Sequence, residues 1–180
     1  MASVFLSPSK QEFNPYVTGN NEEYYANLIA DAMLPYLRAS GITYGRNDPN
    51  GTVSTSVNLS NAGNYDLHLA IHSNAAPESL AGKIQGSDVY YYRDSQRGKR
   101  AAEIFANNLK LIYPNPSLVM AVPTTTLFEL RRTRAVAILV EVAYHDNVED
   151  ANWITNNIEE IAENLALSVA DYLGVKFVEP

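Results

Sequence analysis

The chain has 180 residues, 46% of them hydrophobic, and carries 13 basic against 20 acidic side chains for a net charge of −7. That length suits one domain with a full core, so residues 1–180 are read as a single unit, and the acidic balance argues against nucleic acid or an anionic membrane surface as the main partner. With no cysteine, disulfides, iron–sulfur clusters, thiolate zinc and a cysteine nucleophile are all excluded.

Any metal must therefore be held by His, Glu, Asp or neutral oxygen donors, and the only histidines are His68, His72 and His145. No apolar run reaches membrane-spanning length, so no membrane insertion is expected. The segment MASVFLSPSK lacks the apolar stretch of a signal peptide, so no export by that route is expected. The arginines at 131, 132 and 134 read as a solvated cluster.

In chain order, Ser3–Ser7 predicts a short strand stopped by Pro8, and residues 7–21 (SPSKQEFNPYVTGNN) a loop. A helix follows, with Asn20 or Asn21 as its N-cap, two acids in its first turn and Gly41 just past its end. A strand at Ile42–Tyr44, a turn-rich loop at 47–55 and a short helix at 56–64 come next. The run YDLHLAIHSNAA (65–76) predicts a buried strand over 66–72 that ends in turn-forming Ser73 and Asn74.

Residues 87–92 form another strand, and 96–112 an amphipathic helix with Ala101, Ile104, Phe105, Leu109 and Ile112 on one face. Residues 114–126 read as irregular, 127–130 as a strand or extended segment, and 135–142 (AVAILVEV) as a strand buried on both faces. One long helix is expected over 148–173, stopped by Gly174. Strands alternating with helices indicate an α/β fold: a single-domain, twisted, mostly parallel or mixed sheet of five or six strands with helices on both faces.

Three residues on this scaffold suggest chemistry. His72 sits where a strand delivers a side chain to the carboxyl edge of the sheet, the edge at which open α/β sheets bind ligands. Glu141 interrupts the most apolar run of the chain, where a carboxylate is costly unless paired, metal-bound or tuned as a base. Glu22 shares a helical face with Tyr25, Ile29 and Met33 and so points at the sheet, whereas Glu23 points more toward solvent. A helix-start Glu, a strand-end His and a second strand-end Glu together suggest a metal hydrolase site. His68 lies on the same strand face as His72 but deeper, and reads as a buried structural residue; His145, in YHDN, either lines the site or has no role.

These stretches resemble the zinc-dependent N-acetylmuramoyl-L-alanine amidases of the third amidase type. That family runs from a D-P-G-H-G-like loop to a G-x-x-E helix start, an S-I-H-x-N-A strand end and an L-V-E-x-x-F-x-x-N strand. The corresponding segments here are LSPSKQ (6–11), GNNEEYYANLIADAM (19–33), LAIHSNAA (69–76) and LVEVAYHDN (139–147), in the same order. The resemblance implies hydrolysis of the amide between N-acetylmuramic acid and L-alanine in bacterial peptidoglycan, and hence action on the cell wall. It further implies one Zn2+ per chain, with His72 and Glu22 as metal ligands and Glu141 as the catalytic carboxylate; Asn74 and Asn147 match loop-shaping positions.

The first motif departs from the family, because its histidine ligand is missing. Lys10 aligns with it, and Gln11, one residue on, is the expected third ligand, with Glu12 next in line and Glu23 the alternative to Glu22. Two other readings stay open: a wall-binding module with a degenerate metal site, and a metallopeptidase cutting within the stem peptide.

Overall fold

The computed structural model describes residues 1–180 and has the alternating architecture expected of the sequence. Its strands are β1 (Ser3–Pro8), β2 (Thr43–Arg46), β3 (Leu67–Asn74), β4 (Ser87–Tyr92), β5 (Val119–Thr124) and β6 (Val136–Tyr144). Its helices are α1 (Glu22–Ala39), α2 (Val53–Gly63), α3 (Gln96–Leu109), α4 (Phe128–Arg132), α5 (Val148–Asn156) and α6 (Ile158–Leu173). The strands form one sheet in the order β2-β1-β3-β6-β4-β5. The pairs β1–β2, β1–β3, β3–β6 and β4–β5 are parallel and β4–β6 is antiparallel, so the sheet is mixed.

Side-chain alternation along the central strands decides the layers. Leu67, Leu69 and Ile71 of β3 and Val136, Ile138, Val140 and Val142 of β6 enter the main core, with residues of α1, α3, α5 and α6. The alternate residues face a thinner layer, in which Ala70, Ala137 and Leu139 meet Leu130 of α4. Both faces are therefore covered, which is why these strands read as continuous apolar runs. The thin layer matters for function: His68, His72 and Glu141 belong to its set of alternating positions.

Local chemistry fixes the ends of α1. Asn21 accepts a hydrogen bond from the Tyr24 amide at 2.9 Å, and Gly41 beyond the last turn adopts φ 69°, in the left-handed region glycine tolerates. Pro35 is accommodated inside the helix.

Three expectations are corrected. Residues 119–124, read as irregular, form β5, an edge strand, and an edge is where Pro123, with no N–H to give, is tolerated. The 127–130 segment is instead the start of the single-turn helix α4, too short for any periodicity to reveal. The final helix breaks at Asn157, whose side-chain amide donates to the Trp153 carbonyl at 2.7 Å and so competes with the helical ladder.

Candidate active site

The carboxyl ends of β1, β3 and β6 lie side by side, and α1 begins beside them. Pro8 pairs with Ile71 and His72 with Glu141 in the ladders, so the loop after β1 passes directly beside His72. That loop is held down at several points. The Ser9 amide donates to the Ile71 carbonyl at 2.9 Å, the Val17 amide to the His145 carbonyl at 3.0 Å, and the Glu22 amide to the Asn14 carbonyl at 3.0 Å.

Glu22 is 1% exposed, and its Oε1 lies 2.8 Å from His72 Nδ1. Helix phase had pointed Glu22 at the sheet, and the structure has it there; Glu23 makes no such contact. Gln11 completes the group, with its Nε2 3.3 Å from the same His72 Nδ1. Asn14, which the sequence reading passed over, ties two of these together: its Nδ2 donates to Gln11 Oε1 at 2.9 Å and to Glu22 Oε2 at 2.7 Å. Glu12 is exposed to solvent and Lys10 lines a groove beside the site, so neither joins the cluster.

A second missed residue lies on the other side of His72. Glu129, from α4, is buried and places Oε1 3.7 Å from His72 Nε2. Its Oε2 meets His68 Nε2 at 2.5 Å, and His68 Nδ1 meets Ser60 Oγ at 2.9 Å. His68 is fully buried and stacked on Phe5, in keeping with the structural role expected of it. His145 is buried too, against Tyr16 and the Ser73 hydroxyl. It anchors the 9–21 loop rather than lining the site.

Electrostatics separate the three carboxyl groups. Burial opposes the charge of Glu22, but hydrogen bonds from His72, Asn14 and Ser9 outweigh it and hold its pKa below the usual range. Glu129 is likewise driven down, to about 2, because the bond from His68 and the nearby His72 ring overcome burial. Glu141 goes the other way. Burial lifts it to about 7, with His72 opposing and the Glu22 and Asp88 charges adding. Its Oε2 is shut off from solvent and has no partner. Groups pushed apart in this way are the pattern of an acid–base site.

The cluster can be tested against a metal. No three His, Asp or Glu side chains converge in a metal-ligating arrangement, which follows from the missing histidine of the first motif. One imidazole nitrogen and one carboxylate oxygen do converge, with an amide beside them. Glu22 Oε1 lies 2.8 Å and the Gln11 amide nitrogen 3.3 Å from His72 Nδ1, while the Gln11 amide oxygen, its only possible metal donor, faces Asn14. His72 Nε2 and Glu141 Oε2, both buried without partners, mark a site whose polar groups are incompletely satisfied by the protein alone. As the structure stands only His72 and Glu22 offer metal-ligating atoms; Gln11 would join them by turning its amide oxygen inward, away from Asn14. A groove of about 420 Å³, lined by Lys10, Gln11, Phe13, Val53, His72 and Glu129 among others, opens beside them.

Fold and site together define a single-domain α/β scaffold whose strand ends gather an imidazole and carboxylates. Residues 9–171 match the family model described as N-acetylmuramoyl-L-alanine amidase. The chain belongs to that family of peptidoglycan amidases. No curated protein matches the chain in sequence. Among solved structures it is similar to N-acetylmuramoyl-L-alanine amidase AmiC2 of Nostoc punctiforme, at 20% identity and TM-score 0.83, covering 96% of this chain and 97% of that one. An N-acetylmuramoyl-L-alanine amidase from Clostridium difficile 630 is similar at 18% identity and TM-score 0.82, covering 96% and 97%. The catalytic domain of the CD27L endolysin, which targets Clostridia difficile, is similar at 22% identity and TM-score 0.78, covering 95% and 98%.

Proposed function

We propose that residues 1–180 act as one catalytic unit that cleaves the lactyl–L-alanine amide of peptidoglycan with a single zinc ion held by His72, Glu22 and Gln11. The observation that carries this reading is the 2.8 Å approach of His72 Nδ1 to Glu22 Oε1, with Glu141 the register partner of His72 on the next strand. Zinc bound there would supply a Lewis acid that polarises the scissile carbonyl and acidifies water.

The protein's own groups do the rest. Glu141, pushed up to about 7, takes the proton of the attacking water at its unpartnered Oε2. As the carbon–nitrogen bond breaks, the same carboxyl returns that proton to the departing alanine nitrogen. A pKa near the working pH suits both halves of this exchange. Asn14 holds Glu22 through its Oε2, and the groove beside His72 leaves room for one arm of the substrate. No helix is long and apolar enough to cross a membrane, and the proposed place of action is the bacterial wall.

Mass spectrometry of digested, purified peptidoglycan tests the assignment. The expected products are glycan strands with free lactyl carboxylates and stem peptides with free L-alanine amino termini. New termini inside the stem peptide would make the chain a peptidase instead. Binding to insoluble wall without release of fragments would make it a binding module.

A further inference from the structure

Seven of the 13 basic residues of this acidic chain fall in two short stretches, 93–100 and 131–134. The second reads as a solvated cluster in sequence, but the fold joins the two at the end of the sheet opposite the active site. Between the end of β4, the first turn of α3 and the start of β6 lies a cleft of about 260 Å³. Arg97, Arg131, Arg134, Ser95 and Thr133 line it, and no acidic side chain does. Val136, which also lines it, lies five residues before Glu141 on β6, about 16 Å of extended strand.

The polar groups of this cleft are unspent. Arg46 and Lys99 make the only ion pairs of any arginine or lysine in the protein, so Arg97, Arg131 and Arg134 face no acid partner. The amides of Gln96 and Arg97, which open the 14-residue helix α3, donate to no protein acceptor, and a helix start favours negative charge. Thr133 keeps its Oγ1 buried and without a partner. The backbone that carries Arg134 is nevertheless fixed: Asn61 of α2 accepts from the Arg134 amide at 2.8 Å and donates to the Arg132 carbonyl at 3.0 Å. Like charges held together in this way repel one another until an oxyanion lies between them.

The basic lining continues past the cleft. Arg97 also borders a neighbouring cavity of about 520 Å³, together with Arg100 and Tyr172, and the Arg100 guanidinium lies 5.7 Å from the Tyr172 ring centroid. The acid of that cavity, Asp66, is occupied by the Ser3 amide and hydroxyl, both at 2.9 Å. We propose that the two cavities form one docking track for a linear polyanion with a phosphodiester in each repeat, of the kind a glycerol phosphate polymer of the bacterial wall presents. Cations spread over two joined cavities suit a repeated charge better than a lone carboxylate, and guanidinium forks match phosphate oxygens two at a time. The choice of a wall polymer rests on the place of action proposed above; the anion track does not. Because the net charge is −7, the rest of the surface repels the same polymer. Docking therefore holds the protein by this end and leaves the groove beside His72 free for peptidoglycan.

Poly(glycerol phosphate) titrated into the full chain, followed by backbone amide spectra, tests the track. The amides of Gln96 and Arg97 should shift, and binding should weaken as salt is raised. The triple variant Arg97→Gln, Arg131→Gln, Arg134→Gln should bind about 100-fold more weakly, the loss expected for three charges beside an anionic surface. A control triple, Arg38→Gln, Lys83→Gln, Lys110→Gln, removes the same charge elsewhere and should stay within a few-fold of the parent. All six side chains are exposed, and thermal unfolding checks that both variants fold; should the first not fold, the amide shifts of the unsubstituted chain still decide. No binding at low salt overturns the proposal, as do unmoved Gln96 and Arg97 amides or equal losses in the two triples. Tighter binding to phosphatidylglycerol vesicles than to the polymer overturns it in favour of a membrane surface. Digestion of peptidoglycan freed of phosphate polymer separates this inference from the proposed function. A chain that cuts it but ignores the polymer refutes the track alone, and one that docks but cuts nothing refutes the amidase reading alone.

Discussion

Glu141 stands directly opposite His72 across the parallel β3–β6 ladder, so two strands far apart in sequence, Leu67–Asn74 and Val136–Tyr144, deliver the proposed base and the proposed metal-binding imidazole to one spot. Neither side chain depends on a mobile loop for its position. On the far side of Glu141, Asp88 of antiparallel β4 is its register partner, a second acid that favours the protonated form of Glu141. The ladder therefore sets both the place of the base and part of its proton affinity.

Glu141→Gln keeps the shape of the side chain and removes its capacity to carry a proton. Peptidoglycan hydrolysis should fall about 10²–10⁴-fold, the range for loss of a general base. Zinc affinity should stay within a few-fold, since Glu141 is not among the proposed ligands. Unfolding of the metal-free variant at pH 8 should occur at the parent's temperature or slightly above it, because a carboxyl raised to about 7 is disfavoured by the fold once ionised. A dye-release assay with undiminished activity in the folded variant would remove Glu141 from the mechanism.

Replacing Gln11 with His should tighten zinc binding, because an imidazole gives more to a borderline-soft cation than an amide oxygen does. Gln11→Ala should weaken binding, and Glu22→Ala should weaken it at least as much, since the carboxylate contributes charge as well as a lone pair. Asn14→Ala should fall between the parent and Glu22→Ala: it removes no ligand but frees Glu22, whose Oε2 Asn14 Nδ2 now holds at 2.7 Å. A chelator titration reads all four. If Gln11→His and Gln11→Ala both match the parent, the third donor is not Gln11.

His72, Glu141 and Glu22 were legible in the sequence because each breaks a pattern. The first two interrupt apolar strands, and the third has the helical phase of buried residues. Gln11 came only through the resemblance, since a glutamine in a polar loop breaks nothing. Glu129 was hidden for a different reason. It lies in a five-residue helix with no measurable period, beside exposed Arg131 and Arg132, and its partner His68 is 61 residues away. Asn14 was concealed likewise, in a loop whose shape comes from bonds to β3, α1 and His145. Burial on one face of a regular element leaves a trace in sequence; a side chain placed by an irregular segment leaves none.

Asp150 is another such residue, a buried acid at the start of α5. Its Oδ1 accepts from the Tyr113 hydroxyl at 2.6 Å, and its Oδ2 from the amides of Gly86 at 3.0 Å and Tyr144 at 2.9 Å. It thus joins the end of β6 to the start of β4. Asp150→Ala strands all three donors and should destabilise the protein by about 3–5 kcal/mol, read as a lower urea midpoint. Asp150→Asn retains one acceptor and should fall between. A change below about 1 kcal/mol in the alanine variant would mean that water replaces the carboxylate.

His145 supplies a pH dependence that a substitution can isolate. Its ring is 3% exposed, lies 3.0 Å from Ser73 Oγ through Nδ1 and stacks on Tyr16 at 5.4 Å. Burial lowers its pKa below 6.5, although the charges of Glu22 and Asp146 and a bond to Ser73 pull the other way. In the unfolded chain the ring takes up a proton near pH 6.5, while in the folded protein it does so only at lower pH. The unfolded state therefore binds more protons in that window, and stability falls as pH decreases through it. The slope contributed is bounded by one proton, about 1.4 kcal/mol per pH unit. His145→Gln keeps a donor and acceptor but cannot titrate, so its stability should be lower at pH 7.5 and decline less steeply between pH 6.5 and 5. Urea midpoints of the metal-free proteins measure both slopes. Parallel curves for parent and variant would show that His145 takes up its proton equally in both states and that its burial does not oppose its charge.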